Sequence, residues 1–247
     1  MRGAQAPRGL LEKAHAAGVA SPSRGSKGSI YALAGCNGAG KSSIGGQALR
    51  HSGIDFYNPD EAARRIAHAN RHLQPPLTQT EINRAAWEQG RRLVQRAIDE
   101  HGNFAFETTL GGRTMTALLE KAALDRLEVH VWFAGLTDAE LHIDRVRRRV
   151  AKGGHDIPPE KIRQRFDDGR IHLVRLLPHL TELHLYDNSG EADPDAGFSP
   201  LPRLLLHCRE GRIVAPVHID TVLRGTPEWA KPIVAAALKL HLAGGAA

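Results

Sequence analysis

Residues 35–42 read Gly35-Cys36-Asn37-Gly38-Ala39-Gly40-Lys41-Ser42, the pattern G-x-x-x-x-G-K-[ST] of a phosphate-binding loop. The preceding run Ser29-Ile30-Tyr31-Ala32-Leu33-Ala34 is short and apolar, with strand character. The following run, Ser43 to Arg50, reads as a helix. A strand, a glycine-rich loop and a helix N-terminus in that order make an anion site. Backbone N–H groups converge, the helix dipole adds positive potential, and Lys41 adds a full charge. Glycine is required where a Cβ would collide with a phosphate or where φ is positive. Ser42 offers its hydroxyl to Mg²⁺ between the β- and γ-phosphates. Gly35 through Ser43 is therefore the expected nucleotide site, with ATP or GTP and Mg²⁺ as cofactors.

The chain has 247 residues, a length that suits one large α/β domain with additions or two small domains, and 41% of them are hydrophobic, enough for a core. Lys and Arg exceed Asp and Glu by 33 to 27, a net +6, which suits anionic partners such as nucleotides and sugar phosphates. Aromatics make up only 5%, so stacking platforms for single strands are scarce and nucleic acid is not the expected partner. Two cysteines, Cys36 and Cys208, provide neither a disulfide framework nor zinc spacing. Glu12 and Lys13 stand where a secretory leader needs an apolar core, and no apolar run nears the ~18 residues of a membrane span. The expected location is the cytoplasm.

Along the chain, residues 1–28 form an N-terminal arm with a short amphipathic stretch, Arg8 to Val19. Ile54–Asn58 reads as a second strand. Pro59 suits a helix start, and Asp60 and Glu61 suit its dipole. Thr78-Gln79-Thr80-Glu81 opens a long helix to about Glu100. Asn103–Glu107 is a strand ending in a carboxylate, and Thr114–Leu124 a helix. Glu128–Ala134 is a buried strand, and Thr137-Asp138-Ala139-Glu140 caps a helix through Val150. After a Gly153-Gly154-His155 loop, a helix runs from about Glu160 to Leu177. Glu182–Asp187 is a further strand. The alternation implies an α/β fold of the P-loop NTPase type: a three-layer α/β/α sandwich with a mostly parallel sheet and a helical lid. Residues 29–190 are the expected core. Residues 191–247 are a C-terminal extension, a hairpin (Arg203–Cys208 and Arg212–Pro216) and a last helix begun by Pro227-Glu228-Trp229, packed on that core.

In such sheets ligands bind beyond the C-terminal strand ends. Asn58 and Asp60 follow the second strand; Glu107 and Thr108 end the third. Phosphoryl transfer to an alcohol needs positioning, charge neutralisation and a group to take the hydroxyl proton. Asp60 is the best placed base, although an acid in an Asn-Pro-Asp turn also serves its helix end. Glu107 is suited to bind acceptor hydroxyls or to hold a water on Mg²⁺; a solvated strand-end charge is its plain alternative. Arg145, Arg148 and Arg149 share one helix face. They read either as a solvated basic face, with Asp144–Arg148 a surface pair, or as a lid that brings Arg149 to the transferring phosphate. Arg163 and Arg165 have the same potential on the next helix, and His155 is either a phosphate contact or a loop residue. The Asp187-Asn188-Ser189 turn is placed near the base of the nucleotide by sheet topology.

The ordered set of Gly35–Ser42, Tyr57-Asn58-Pro59-Asp60-Glu61, Phe106-Glu107-Thr108-Thr109-Leu110, Arg145–Arg149, Gly153-Gly154-His155-Asp156-Ile157-Pro158 and Tyr186-Asp187-Asn188-Ser189 resembles the zeta-toxin family of P-loop kinases. The likeness is greatest to the bacterial branch described as predicted ATPases. It covers about residues 29–190 and, more loosely, the Pro-Glu-Trp helix. It implies transfer of a γ-phosphate from ATP or GTP, with Mg²⁺, to the 3′-hydroxyl of the sugar in UDP-N-acetylglucosamine. On that resemblance Asp60 is the base, Glu107 contacts the sugar and Arg149 is the first lid arginine. At the second lid position the chain departs from the toxin pattern and offers His155, Arg163 or Arg165 instead. The resemblance also implies a small antitoxin whose helix blocks the nucleotide site. The expectation is a small-molecule kinase with a nucleotide-sugar acceptor, an activity that suits the toxin of a toxin–antitoxin pair. The rival is a nucleotide-gated regulatory protein with a basic face for RNA or an acidic partner.

Overall fold

The computed structural model describes residues 27–41, 44–45, 53–190 and 201–244. The expected N-terminal amphipathic stretch, the greater part of the helix after the phosphate loop, Ser42, Ser43 and most of the 191–202 loop lie outside the described residues.

Among the described residues the chain forms β1 (Ser29–Ala34), β2 (Phe56–Tyr57), α1 (Pro59–Ala69), α2 (Gln79–Asp99), β3 (Phe104–Thr108), α3 (Arg113–Leu124) and β4 (Glu128–Gly135). It continues through α4 (Ala139–Val150), α5 (Pro159–Leu176), β5 (Glu182–Asp187), β6 (Arg203–Arg209), β7 (Arg212–Ala215), α6 (Ile219–Gly225) and α7 (Lys231–Ala243). One seven-stranded sheet runs β2-β3-β1-β4-β5-β6-β7. Strands β2 to β5 are parallel, and β6 and β7 add antiparallel. The mostly parallel α/β architecture is the one the strand–helix alternation implies.

Local signals set most boundaries. Thr78 accepts from the Glu81 amide while the Glu81 carboxylate accepts from the Thr78 amide, a reciprocal capping box that starts α2. Asp138 alone caps α4, accepting from the Leu141 amide at 2.8 Å. The second strand is shorter than the expected Ile54–Asn58. Asn58 leaves the sheet because its Oδ1 accepts from the amides of Asp60 and Glu61 and so caps α1. The short helix α6 stands between the expected hairpin and the expected last helix.

One face of the sheet meets α2, α3, α5 and α7 across a core that includes Ile30, Phe106, Val94, Ile98, Leu119 and Leu173. Trp229, 2% exposed, docks the C-terminal segment against the end of β4. A Cβ on Gly135 would stand 2.2 Å from its ring, so only glycine admits the indole there. On the other face Leu33, Ile54 and Ala105 form one small cluster, and Ala39, Ile44, Ala134 and Tyr186 another. Between them a row of rings from Tyr31 through His130, Trp132 and His184 to His207 stacks across four strands. No described helix is long and apolar enough to cross a membrane.

Candidate functional site

β1 ends at Ala34 in the middle of the parallel strands, and residues 35–41 turn back over its C-terminal end. Three glycines make that turn. Gly35, Gly38 and Gly40 have φ of +133°, +81° and +73°, values L side chains rarely adopt. Two of them are also packed too closely for a side chain. A Cβ on Gly35 would lie 2.2 Å from the Ala134 carbonyl oxygen, and one on Gly38 would lie 2.7 Å from that of His142.

Lys41 is 8% exposed, so its ammonium must be paired. It donates to the carbonyls of Gly35 (3.0 Å) and Cys36 (3.4 Å), and Glu107 Oε1 stands 3.3 Å away. The other Glu107 oxygen accepts from Asn58 Nδ2 at 2.8 Å. Asn58 in turn caps α1 through its Oδ1, which accepts from the Asp60 amide at 2.8 Å. A continuous polar relay thus runs from the phosphate loop across the ends of β3 and β2 to Asp60.

The Asp60 carboxylate faces the lid. Arg149, in the last turn of α4, places Nη1 3.4 Å from Asp60 Oδ2, and its Nη2 donates to the His155 carbonyl at 3.1 Å. The His155 ring meets Asn83 of α2, Nε2 to Nδ2 3.3 Å. Asp60 and Arg149 border a cleft of about 860 Å³ between α1, the start of α2, α4 and the 152–156 loop. Arg64, Arg145, Arg148 and Lys152 make its walls strongly basic. Residues 35–41 do not line this cleft; the contacts through Glu107 and Asn58 link them to its Asp60 side.

The lid helices are fastened to the phosphate loop itself. His142 Nδ1 donates to the Asn37 carbonyl at 2.8 Å, Arg165 Nη1 donates to Asn37 Oδ1 at 2.9 Å, and the Cys36 thiol donates to the Ile162 carbonyl at 3.4 Å. Burial pushes the His142 imidazole down to about 4, outweighing its bond to Asn37. It is therefore neutral near pH 7 and adds no positive charge beside Lys41. Its Nε2 is buried and has no hydrogen-bond partner among the described residues. Burial likewise pushes the Cys36 thiol up to about 11, so Cys36 is an uncharged packing group and not a thiolate. Asn188 Nδ2 donates to the Ala39 carbonyl at 2.8 Å and props the loop from the β5 side.

The structure therefore brings together Gly35–Lys41, Asn58, Asp60, Glu107, Arg149 and His155. Ser42 and Ser43 are outside the described residues. Thr108 uses its hydroxyl to accept from the Leu110 amide at 3.0 Å and holds the turn after β3, where Leu110 has φ +55°. The two lid arginines of α5 part company. Arg165 reaches the loop, whereas Arg163 points to Glu140 Oε1 at 2.8 Å on the exposed side of α4. Asp167, the possible i+4 partner of Arg163, pairs with Arg170 instead. Asp144 and Arg148 form the surface pair their spacing allows, at 2.6 Å. Sequence reasoning did not single out His142 or Arg64. A histidine four residues after a helix cap and an arginine on a polar helix face carry no local sign of a site.

A family model described as "Zeta toxin" matches residues 13–192. An uncharacterized protein of Haemophilus influenzae (strain ATCC 51907 / DSM 11121 / KW20 / Rd) is 27% identical over 133 residues, 53% of this chain and 88% of that protein. Among solved structures, an AvrRxo1-ORF1:-ORF2 crystal structure with ATP matches with a TM-score of 0.58 at 14% identity, over 92% of this chain and 67% of that one. A structure from the PezAT chromosomal toxin–antitoxin system of Streptococcus pneumoniae matches with a TM-score of 0.52 at 13% identity, over 95% of both chains. At these identities the two structures establish the shared fold.

Proposed function

This chain belongs to the zeta toxin family of P-loop phosphotransferases, and from that premise we propose that it is an ATP-dependent small-molecule kinase whose acceptor is a hydroxyl of a nucleotide-sugar such as UDP-N-acetylglucosamine. The observation that carries the reading is the chain of contacts from Lys41 through Glu107 and Asn58 to the backbone amide of Asp60, whose carboxylate meets Arg149.

In this reading the loop amides and Lys41 hold the triphosphate, and Lys41 exchanges its carbonyl and carboxylate partners for phosphate oxygens. Asp60 takes the proton from the acceptor hydroxyl as its oxygen bonds the γ-phosphorus and the bond to the β–γ bridging oxygen breaks, so that ADP leaves. Glu107 orients the acceptor's hydroxyls. Arg149 leaves Asp60 and neutralises charge developing on the transferred group, so the lid pair is a resting contact. Arg165 serves through Asn37 of the loop. A bound Mg²⁺ would supply further charge neutralisation to the phosphates, and the Ser42 hydroxyl, with a water held by the Glu107 carboxylate, would be the hard-oxygen donors that hold it. The basic cleft beside Asp60 favours an acceptor that itself carries phosphate.

We further propose residues 29–190 as the kinase core with its lid and residues 191–247 as its extension. The two AvrRxo1 and PezAT structures come from protein pairs, and a small antitoxin is the partner we propose here.

The test is incubation with labelled ATP, Mg²⁺ and a panel of nucleotide-sugars. Label should move to a small molecule in the parent protein and stay on ATP in Lys41→Ala. Release of free phosphate alone, at equal rates with and without acceptors, would instead favour the nucleotide-gated regulatory reading.

A further inference from the structure

On the sheet face away from α2 and α5, four ionisable side chains from three adjacent strands meet. Glu182 and His184 are two residues apart on β5 and so share a face. His184 stands in register with His207 of β6, and Glu182 with His130 of β4. His207 Nε2 lies 2.7 Å from Glu182 Oε1, and His184 Nε2 lies 3.9 Å from the same oxygen. The two imidazoles stack with centroids 4.1 Å apart. One ligand atom from each of Glu182, His184 and His207 falls within 4.8 Å of the others. The second carboxylate oxygen, Oε2, is 3.3 Å from His130 Nδ1. All three histidines are buried, at 6–8% exposure.

We propose that Glu182, His184 and His207 form a site for one divalent transition-metal ion of the zinc class. Two imidazoles with one carboxylate are a donor set that Zn²⁺ accepts, and imidazole nitrogen selects such ions over Mg²⁺ and Ca²⁺. Binding joins the ion to Glu182 Oε1 and to the Nε2 atoms of His184 and His207, whose stacked rings turn about their side-chain bonds so that the two lone pairs converge. The proton that His207 now shares with Glu182 moves to solvent or to its own Nδ1, and water completes the tetrahedron. His130 does not touch the ion; it is a positioning residue that fixes the carboxylate through Oε2. Glu182 opens β5, so the site lies toward the edge of the parallel strands opposite the phosphate loop. Its role is to pin the antiparallel strand β6 to the parallel sheet, and it takes no part in phosphoryl transfer.

The experiment uses the full chain freed of metal with a chelator and titrated with Zn²⁺. Calorimetry and metal analysis after desalting should give one retained ion per chain. Affinity should fall by ~100-fold or more in His184→Ala and His207→Gln, and by about 10-fold in His130→Ala. His218→Ala, on an exposed histidine elsewhere, should bind as the parent does. His207→Gln keeps size and a hydrogen-bond donor, so it serves even if the alanine variants fail to fold. Co²⁺ in place of Zn²⁺ should give the intense visible bands of a tetrahedral site in the parent and lose them in His207→Gln. Retention of no ion by the parent, or equal retention by parent and His207→Gln, overturns the proposal and leaves a proton-linked Glu–His network.

Discussion

Lys41 Nζ lies 3.3 Å from Glu107 Oε1. The ammonium expected to grip a nucleotide is thus already held in place, by a carboxylate 18% exposed and by two carbonyls of its own loop. Removal of the ammonium leaves Glu107 with an unbalanced, partly buried charge as well as removing the phosphate contact. Lys41→Ala should lower phosphate transfer by at least roughly 10²-fold. Labelled-ATP assays check this, and transfer within a few-fold of the parent would contradict it.

Asp60 tests the division of labour. Its carboxylate contacts Arg149, while only its backbone amide joins the Asn58 cap. Asp60→Asn should leave α1 and ATP affinity nearly unchanged and reduce kcat by about 10²–10⁴-fold. Nucleotide titration paired with turnover separates the two effects. Parent-like kcat would exclude Asp60 as the base.

Arg149 bridges Asp60 and the His155 carbonyl with two different nitrogens. Once Arg149 leaves Asp60, the same two nitrogens can hold two phosphate oxygens, a fork that a single ammonium cannot reproduce. Arg149→Ala and Arg149→Lys should therefore both lose roughly 10³-fold in kcat, with thermal stability little altered because the side chain is about two-fifths exposed. Rescue by lysine would show that charge alone suffices.

His142 gives a pH signature. In the unfolded chain its pKa is near ~6.5; in the fold burial holds it down to about 4, with Lys41 and Arg145 opposing protonation and Asp138 and the Asn37 bond favouring it. A depressed folded pKa means its contribution is full above pH ~6.5 and is lost as pH falls toward 4, roughly 3 kcal/mol in all. His142→Asn keeps a donor for the Asn37 carbonyl and removes the titration. Its thermal midpoint should fall less steeply than the parent's between these pH values. Parallel slopes for the two proteins would mean that His142 does not set the acid limb.

Gly38 combines positive φ with a close approach to the His142 carbonyl. Gly38→Ala should weaken ATP binding and loosen α4 from the loop, visible as faster amide exchange across 139–150. Exchange and ATP affinity both equal to the parent's would show that the approach is not restrictive.

The phosphate loop, the strand–helix alternation and the helix starts at Pro59, Thr78 and the Thr137–Glu140 cap were legible in the chain, because each is decided within a few residues by backbone geometry and capping, whereas Asn58, expected in the second strand, caps α1 instead. The partners across the site were not. Arg149 meets Asp60 across 89 residues, Cys36 meets Ile162 across 126, and Arg165 rather than Arg163 meets Asn37 across 128. Arg163 and Arg165 look equivalent in sequence. Two positions along a helix turn a side chain by about 200°, so only the packing of α5 against α4 and the turn after β3 decides which one faces the loop. The Glu182–His184–His207 cluster has the same origin: its members carry no motif, and only the antiparallel docking of β6 on β5 puts them side by side.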